Sequence, residues 1–528
     1  MHELMKEEGG SDMEPQIAAD VLASSESSDR DEDKLAEPPL PLLREIAFVA
    51  TVCSAQLLTQ AGLGQVIAPL HIIGASFDVT SPAQLSWYAA AYSLTVGTFI
   101  LPSGRLGDVY GHKKIFVIGY IWYGLWSLIA GFSIYVNSNQ GGHVFFSICR
   151  AFQGIGPALL LPNALALLGR TYPDGRRKHM MFSLFGGCAP TGFVLGAVFS
   201  SLFSQKASWP WAYWTMGIFC VGMAALSFLT IPKVDEGEFR RTISRGGVGW
   251  KARWNHLDAP GMITGVCGLV LINFAWNQGP VIGWSTPYVY VLLIIGILII
   301  SGFFYIEHQV PNPLVPVRSL SRDTLFVLGC IAAGWSSFGI WVFYLWQFLE
   351  LERHVTPLLG SAMLAPTAIS GLTASIVCGY LLGVLGPPRI MLLSMTAFCL
   401  GNILLATAPV HQIYWAQTFV SILITPWGMD MSFPSATIVL SNSMRREDQG
   451  VAASLINTVV NYSISIGLGI AGLAESKLND EGRNLLKGYR VAWYVAIGLA
   501  GMGILIATLF VILTRIRPEK KEKVINSA

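Results

Sequence analysis

Stretches of about twenty apolar residues follow one another almost without a break from residue 45 to residue 515. A helix of that length crosses the ~30 Å hydrocarbon core of a bilayer. Backbone amides find no water there, so each stretch must satisfy its own hydrogen bonds as a helix. Fourteen spans can be counted, near 46–69, 84–103, 115–134, 143–168, 180–203, 211–231, 259–277, 287–306, 324–348, 357–382, 390–408, 413–440, 450–474 and 491–513. With 53% hydrophobic and 12% charged residues, the expected fold class is an all-α membrane protein.

The loops carry a clear sidedness. Of the 34 Lys and Arg, six (Lys206, Arg353, Lys477, Arg483, Lys487 and Arg490) fall in alternate loops on one side and Arg150 lies within a span, leaving 27 on the other side. Basic loops stay cytosolic, so fourteen spans with both termini in the cytosol are expected. An odd count would break the alternation. Residues 1–44 form an acidic cytoplasmic tail, expected to be disordered, and 515–528 a basic one. A phosphorylated regulatory role is open to the acidic tail, a plain spacer being the simpler reading. The tail lacks the basic-then-apolar layout of a cleaved signal peptide, so the first span is expected to serve as the membrane signal. The basic residues are spread over many short loops, which gives no reason to expect nucleic-acid binding. Eight cysteines, each in a different span, show no metal-ligand spacing.

Only two formal charges fall deep inside the counted spans, Arg150 and Asp430. A charge at a helix centre costs about 2.5 to 3.5 kcal/mol on insertion scales, so such residues usually face a cavity or a path. Internal similarity places the two on corresponding spans. Gly104-Arg-Leu-Gly-Asp108-Val-Tyr-Gly111-His-Lys-Lys114 is echoed by Gly379-Tyr-Leu-Leu-Gly383-Val-Leu-Gly386-Pro-Pro-Arg389, and Gly156 to Ala164 by Gly428 to Ala436. The nearly equal offsets divide the chain into a six-helix bundle at 45–232, cytoplasmic loops with two inserted helices at 233–322, and a second six-helix bundle at 323–514.

The loop Gly104 to Lys114 resembles the signature of the major facilitator superfamily. Arg150-Ala-Phe-Gln153-Gly154-Ile-Gly156 resembles its fourth-span motif, and Gly187-Cys-Ala-Pro190-Thr-Gly192-Phe-Val-Leu-Gly196 the antiporter motif of its fifth span. Fourteen spans are similar to the larger drug:proton antiporter family, and Phe274-Ala-Trp-Asn-Gln-Gly279 with Pro426 to Pro434 resemble its fungal aminotriazole and boron resistance branch. Two positions depart from the family pattern: Val109 stands where a second Arg is common, and Ala189-Pro190 where a Gly-Pro pair is favoured. Some relatives carry an acid in the first or tenth span. Neither span holds one here, which assigns proton coupling to Asp430.

The resemblance implies a conformational latch at Gly104, Arg105, Asp108, Gly111, Lys113 and Lys114, the glycines permitting a tight turn; plain solvated loop charges are the alternative. Arg150 would lower the pKa of a nearby acid, or else bond first-span groups such as Gln56 or Gln60. Asp430 would carry a proton, or else stabilise the kink that Pro434 makes by removing an amide. Trp335, Phe338 and Trp341 suit a flat or apolar ligand, though core packing explains the stripe more simply; Trp346 and Phe348 are expected in the outer interfacial belt. Gln56, Gln60, Asn163, Asn457 and Asn461 offer cavity hydrogen bonds or interhelical contacts. Gly187, Pro190, Gly192 and Gly196 make up the antiporter motif that the resemblance implies, and Gly192 and Gly196 are expected to allow close helix packing and a hinge rather than to touch substrate.

The expected function is a proton-coupled secondary transporter that exports small toxic compounds by alternating access. No phosphate-binding loop, zinc signature or activated serine appears, so no enzyme activity and no cofactor is expected, the proton gradient supplying the energy. Partners are a small-molecule substrate, protons and the lipid bilayer, with the chain acting as a monomer in the plasma membrane or the vacuolar membrane. A proton-coupled importer and a non-transporting solute receptor are the alternatives, and a membrane-embedded enzyme has least support.

Overall fold

In the computed structural model the described residues are 41–136, 141–172, 176–232, 254, 257–310, 313–315, 318, 320–443, 449–479 and 483–516. No strand occurs among them. The acidic tail through residue 40, nearly all of the charged loop 233–256 and the basic tail from 517 lie outside them. The chain divides into a leading unit that ends at Ala47 and a body, Phe48–Ala528.

The long helices are α1 Leu42–Ile67, α2 Pro82–Tyr110, α3 His112–Phe132, α4 Gly141–Thr171, α5 Arg176–Lys206, α6 Pro210–Thr230, α7 Ala259–Ile282 and α8 Pro287–Gln309. They continue with α9 Arg322–Gln347, α10 Pro357–Leu385, α11 Pro387–Ala406, α12 Gln417–Ser443, α13 Gln449–Leu478 and α14 Leu485–Ile516. Twelve are apolar and long enough to cross a membrane; α2 and α12 are the two that are not apolar enough. Their lengths, 29 and 27 residues, suffice. Burial explains the weaker hydropathy of α2: most of its residues pack inside the protein, where Ser, Thr and Gly replace the Leu and Ile that lipid would select.

Helix α4 packs along α2 and α3 as α12 packs along α10 and α11, and the α3–α6 contact has its counterpart in α11–α14. Glycines set the close approaches. A Cβ at Gly156 would stand 2.8 Å from the Tyr123 Cα on α3, and one at Gly192 would stand 2.8 Å from the Leu57 Cα on α1. Helices α7 and α8 pair with each other, and α7 lies against α2 and α13. A buried polar network fixes that last contact. Ser465 Oγ donates to Asn273 Oδ1 (2.7 Å), while Asn277 Nδ2 donates to Asn273 Oδ1 (2.9 Å) and to Ser465 Oγ (3.1 Å). The segment Phe274 to Gly279 thus belongs to a docking face for the α7–α8 pair, where polar side chains bond each other across helices.

Helix α9 runs further than its apolar stretch. A π-helical turn, Phe348–Glu352, extends it beyond the expected end at residue 348. The expected interfacial belt is not there: Trp346 and Phe348 are buried. Phe348 meets Trp493 edge-on at 5.6 Å, and Trp346 covers Gly360, where a Cβ would stand 2.8 Å from its ring. The aromatic content that suggested a belt instead seals α9 against α10 and α14.

Candidate functional site

Three helices from both halves meet at Gly371, near the middle of α10. A methyl added there would stand 2.6 Å from Asp430 Oδ2 on α12 and 3.1 Å from Pro190 Cγ on α5. Asp430 therefore lies at the junction of the halves and beside the proline of the antiporter-like segment. Its Oδ2 is buried and makes no hydrogen bond, and Ser375 follows one turn beyond Gly371 on α10. Neither Gly371 nor Ser375 was singled out in the sequence, although Gly371, Ser375, Gly379 and Gly383 form a small-residue row at four-residue spacing.

The contact between α5 and α10 is uneven along its length. Away from the Gly104 loop, Ser201 and Ser361 share a hydrogen bond of 2.9 Å. At the middle, Gly187 faces Leu372 and Pro190 faces Gly371. Toward the loop end, Gly186, Gly379 and Gly383 have open space where a Cβ would point. Along these two helices the halves touch at the far end and at the middle, and no neighbour stands opposite these glycines toward the loop end.

Arg150 is 0% exposed and far from bare. Its Nε donates to the Tyr88 carbonyl (3.0 Å), its Nη2 to the Gly62 carbonyl (2.7 Å) and its Nη1 to Gln153 Oε1. The guanidinium also lies 4.4 Å over the Tyr92 ring. Its partners on α1 and α2 are backbone carbonyls, not Gln56 or Gln60, and among the described residues no acid lies within ion-pair distance of it. In this state it ties α1, α2 and α4 together and does not meet Asp430.

The expected aromatic site is largely closed. Trp341 is buried and donates to Ser421 Oγ on α12 (2.8 Å), Trp335 donates to Ser432 Oγ (3.2 Å), and Phe338 stacks on Trp341 at 6.1 Å. Gln56 and Gln60 are half-buried on one face of α1. Asn461 donates back to the Asn457 carbonyl (2.9 Å), beside Gly97 of α2. Asn163 is not part of a cavity: it is fully buried, its Oδ1 accepts from His112 Nδ1 at 2.8 Å, and its Nδ2 donates to the Leu159 carbonyl at 2.7 Å.

At the loop, Asp108 Oδ1 lies 3.2 Å from His112 Nε2 and 3.2 Å from Arg170 Nη2. Neither partner was anticipated, because Arg170 closes α4 and comes near only in three dimensions. Lys113 donates to the Ile231 carbonyl at the end of α6 (2.6 Å), and Arg105 to the Pro313 carbonyl (2.6 Å). Lys114 is exposed. Gly111, at φ 98°, is the turn residue. Gly104 is not, lying within α2 and facing Ser454 Oγ of α13, 3.4 Å from where its Cβ would be.

Burial alone would raise the Asp108 carboxyl, but His112, Arg170 and Arg105 together hold it below the ordinary carboxylate value. A depressed carboxyl contributes its bonding above that value and loses it only as pH falls through the depressed one. The group is 39% exposed, so Asp108→Asn is expected to cost about 1 kcal/mol or less. Its deficit in transport and in unfolding midpoint should persist as pH falls to about 4, the ordinary carboxylate range, and shrink only below it; a deficit already lost at about pH 5 refutes this reading of the ion pairs.

The sequence count missed several buried acids. Glu350, in the π turn after α9, has 8% side-chain exposure and lies 3.7 Å from His71 Nε2. Glu307 and Asp258 are buried at the loop ends of α8 and α7, where they accept the Val315 amide (2.8 Å) and the Gly261 amide (3.2 Å). Glu475, near the end of α13, is also buried and accepts from Asn479 Nδ2 (2.8 Å).

Similarity to known proteins agrees with this architecture. The chain resembles in fold a peptide transporter solved with sulfate, at TM-score 0.63 and 13% identity over 89% of this chain and 94% of that one. It is 60% identical over 92% of both chains to a low affinity ammonium transporter of Saccharomyces cerevisiae. It is 46% identical to the efflux pump terJ of Aspergillus terreus, over 91% of this chain and 90% of that protein. With an aminotriazole resistance protein of Saccharomyces cerevisiae it shares 37% identity over 89% of this chain and 84% of the other. The family model described as the Major Facilitator Superfamily matches residues 52–311 and 324–527. A multi-span membrane transporter with two comparable helical halves, this chain belongs to the Major Facilitator Superfamily.

Proposed function

We propose that the transporter exports small toxic or xenobiotic compounds in exchange for protons, with Asp430 as the proton-carrying group. The observation that carries this reading is the Asp430 carboxyl: mid-helix, between the halves, with one buried oxygen that has no hydrogen bond. Coupling sites of secondary transporters lie near the bilayer midplane where the repeats meet, and an ionisable group at that depth is expensive unless it has work to do. Relatives named for efflux and for aminotriazole resistance support the direction. On this reading Arg150 acts by holding the first bundle in shape, the Asp108 cluster fastens the loop end in one access state, and the loops rich in Lys and Arg face the cytosol.

The test uses purified protein in liposomes with an acid interior and a panel of azoles, borate and lipophilic cations. Substrate-dependent proton release should fall about a hundredfold in Asp430→Asn, the scale on which a positioned proton-transfer group acts. Equal release in both proteins removes Asp430 from the coupling step. A second reading, import of a small cation, is favoured by the 60% identical relative named an ammonium transporter. It predicts that the same liposomes accumulate methylammonium and give no release with the drug panel.

A further inference from the structure

At the end of the molecule away from the Gly104 loop, a polar cluster bridges the two halves. His71 lies on a short helical turn, Leu70–Ala75, that follows α1, and Gln347 and Glu350 lie one turn apart where α9 becomes a π helix. Glu350 stands 3.7 Å from His71 Nε2. Among the described residues no other basic side chain is within ion-pair distance of it; Arg353 is turned away, donating to Thr418 Oγ1 (3.0 Å) and to the Pro409 carbonyl (2.9 Å). Gln347 is 0% exposed and stands beside His71.

The cluster is short of partners. Glu350 Oε1 and both amide atoms of Gln347 are buried without a completed hydrogen bond, as is the Tyr489 hydroxyl of α14. Tyr489 lies within electrostatic reach of both Glu350 and Glu475. A buried polar group without a partner costs about 1–3 kcal/mol, so a native structure rarely leaves several together. A single proton on Glu350 supplies only one donor to the two unpartnered acceptors, Glu350 Oε1 and Gln347 Oε1. A small cation with several N–H donors can give to Glu350 Oε1 and Gln347 Oε1 at once, and the acidic surroundings offset its charge.

We propose that Gln347 and Glu350, closed over by His71, form a binding site for a small N–H cation, either ammonium itself or the head of a primary amine. Because His71 belongs to one half and Glu350 to the other, an occupant at this point bonds both halves and favours the far-end-closed state. The site is separate from Asp430, and its existence does not depend on proton coupling there.

The test is thermal unfolding of the full chain in lipid nanodiscs, titrated with ammonium, methylammonium, hexylammonium, tetramethylammonium or sodium chloride at fixed ionic strength. Ammonium and methylammonium should raise the midpoint in saturable fashion, and tetramethylammonium and sodium should not. A matching rise with hexylammonium assigns the site to amine heads in general, and its absence assigns it to ammonium-sized cations. Glu350→Gln should weaken the response at least about tenfold, the share of one charge-assisted hydrogen bond, while Asp430→Asn keeps it. Should Glu350→Gln fail to fold, Gln347→Met, which removes only the amide, must weaken the response as well. No saturable response in wild type, an equal response to sodium, or a response unchanged in the folded variants overturns the site.

Discussion

Gly192→Val is expected to abolish transport and to lower the unfolding midpoint more than any surface substitution. A Cβ at Gly192 would fall well inside contact distance of the Leu57 carbonyl oxygen and 2.8 Å from its Cα. The obstacle is backbone, so no rotamer change relieves it. The seam is built from both sides. A Cβ at Gly196 would meet the Ala61 backbone, and one at Gly64 on α1 would stand 3.2 Å from the Ala197 amide on α5. Ordinary overpacking of a core costs about 1–3 kcal/mol because side chains yield; here α1 and α5 must separate along several turns, so the upper end of that range is the least expected. Circular dichroism melting and substrate flux, measured on the same reconstituted protein, check this. A valine variant with wild-type melting and flux would mean that the seam opens freely.

Arg150→Ala is expected to cost about 3 kcal/mol, since hydrogen bonds to a charged group contribute about 1.5–3 kcal/mol each and do not add fully. The truncation leaves two carbonyls, those of Tyr88 and Gly62, and the Gln153 amide oxygen without their donor. Gln153 in turn donates to Ser127 Oγ (2.7 Å), so the loss extends to α3. Arg150→Lys should recover little, because one ammonium on a flexible stem cannot reach three acceptors in the fork geometry. The comparison of the three unfolding midpoints decides it: a lysine variant that melts with wild type would reduce Arg150 to a point charge.

The residues that report the fold are those whose role is local or repeated. The Gly104 to Lys114 loop, the glycines at 192 and 196 and the echo of Gly156–Ala164 in Gly428–Ala436 can be read directly, because a close approach or a duplicated helix leaves a glycine or proline at fixed spacing. What could not be read has a common physical cause. A span read from hydropathy ends where charge begins, so Glu350, Glu475 and Glu307 fall just outside the apolar stretches. Glu307 and Glu475 are in fact buried, and the Glu350 side chain is only 8% exposed. The π turn at Phe348–Glu352 leaves no apolar signature, and the pairing of Asp108 with Arg170 joins residues 62 apart. Arg150 shows the converse limit. Its burial was legible from one sequence, but its partners are backbone carbonyls, which no residue code reveals.

The uneven seam between α5 and α10 behaves as a lever. From Pro190 to the start of α5 at Arg176 is fourteen residues, an arm of about 21 Å at 1.5 Å per residue. If the halves rock about the point where Pro190 touches Gly371, the tips of the helices sweep widely while the pivot scarcely moves. Asp430 sits at that pivot. On the exchange mechanism proposed above, its neighbours would stay constant through the cycle and only the side from which water reaches it would change, so the carboxyl would work as a turnstile whose post does not move.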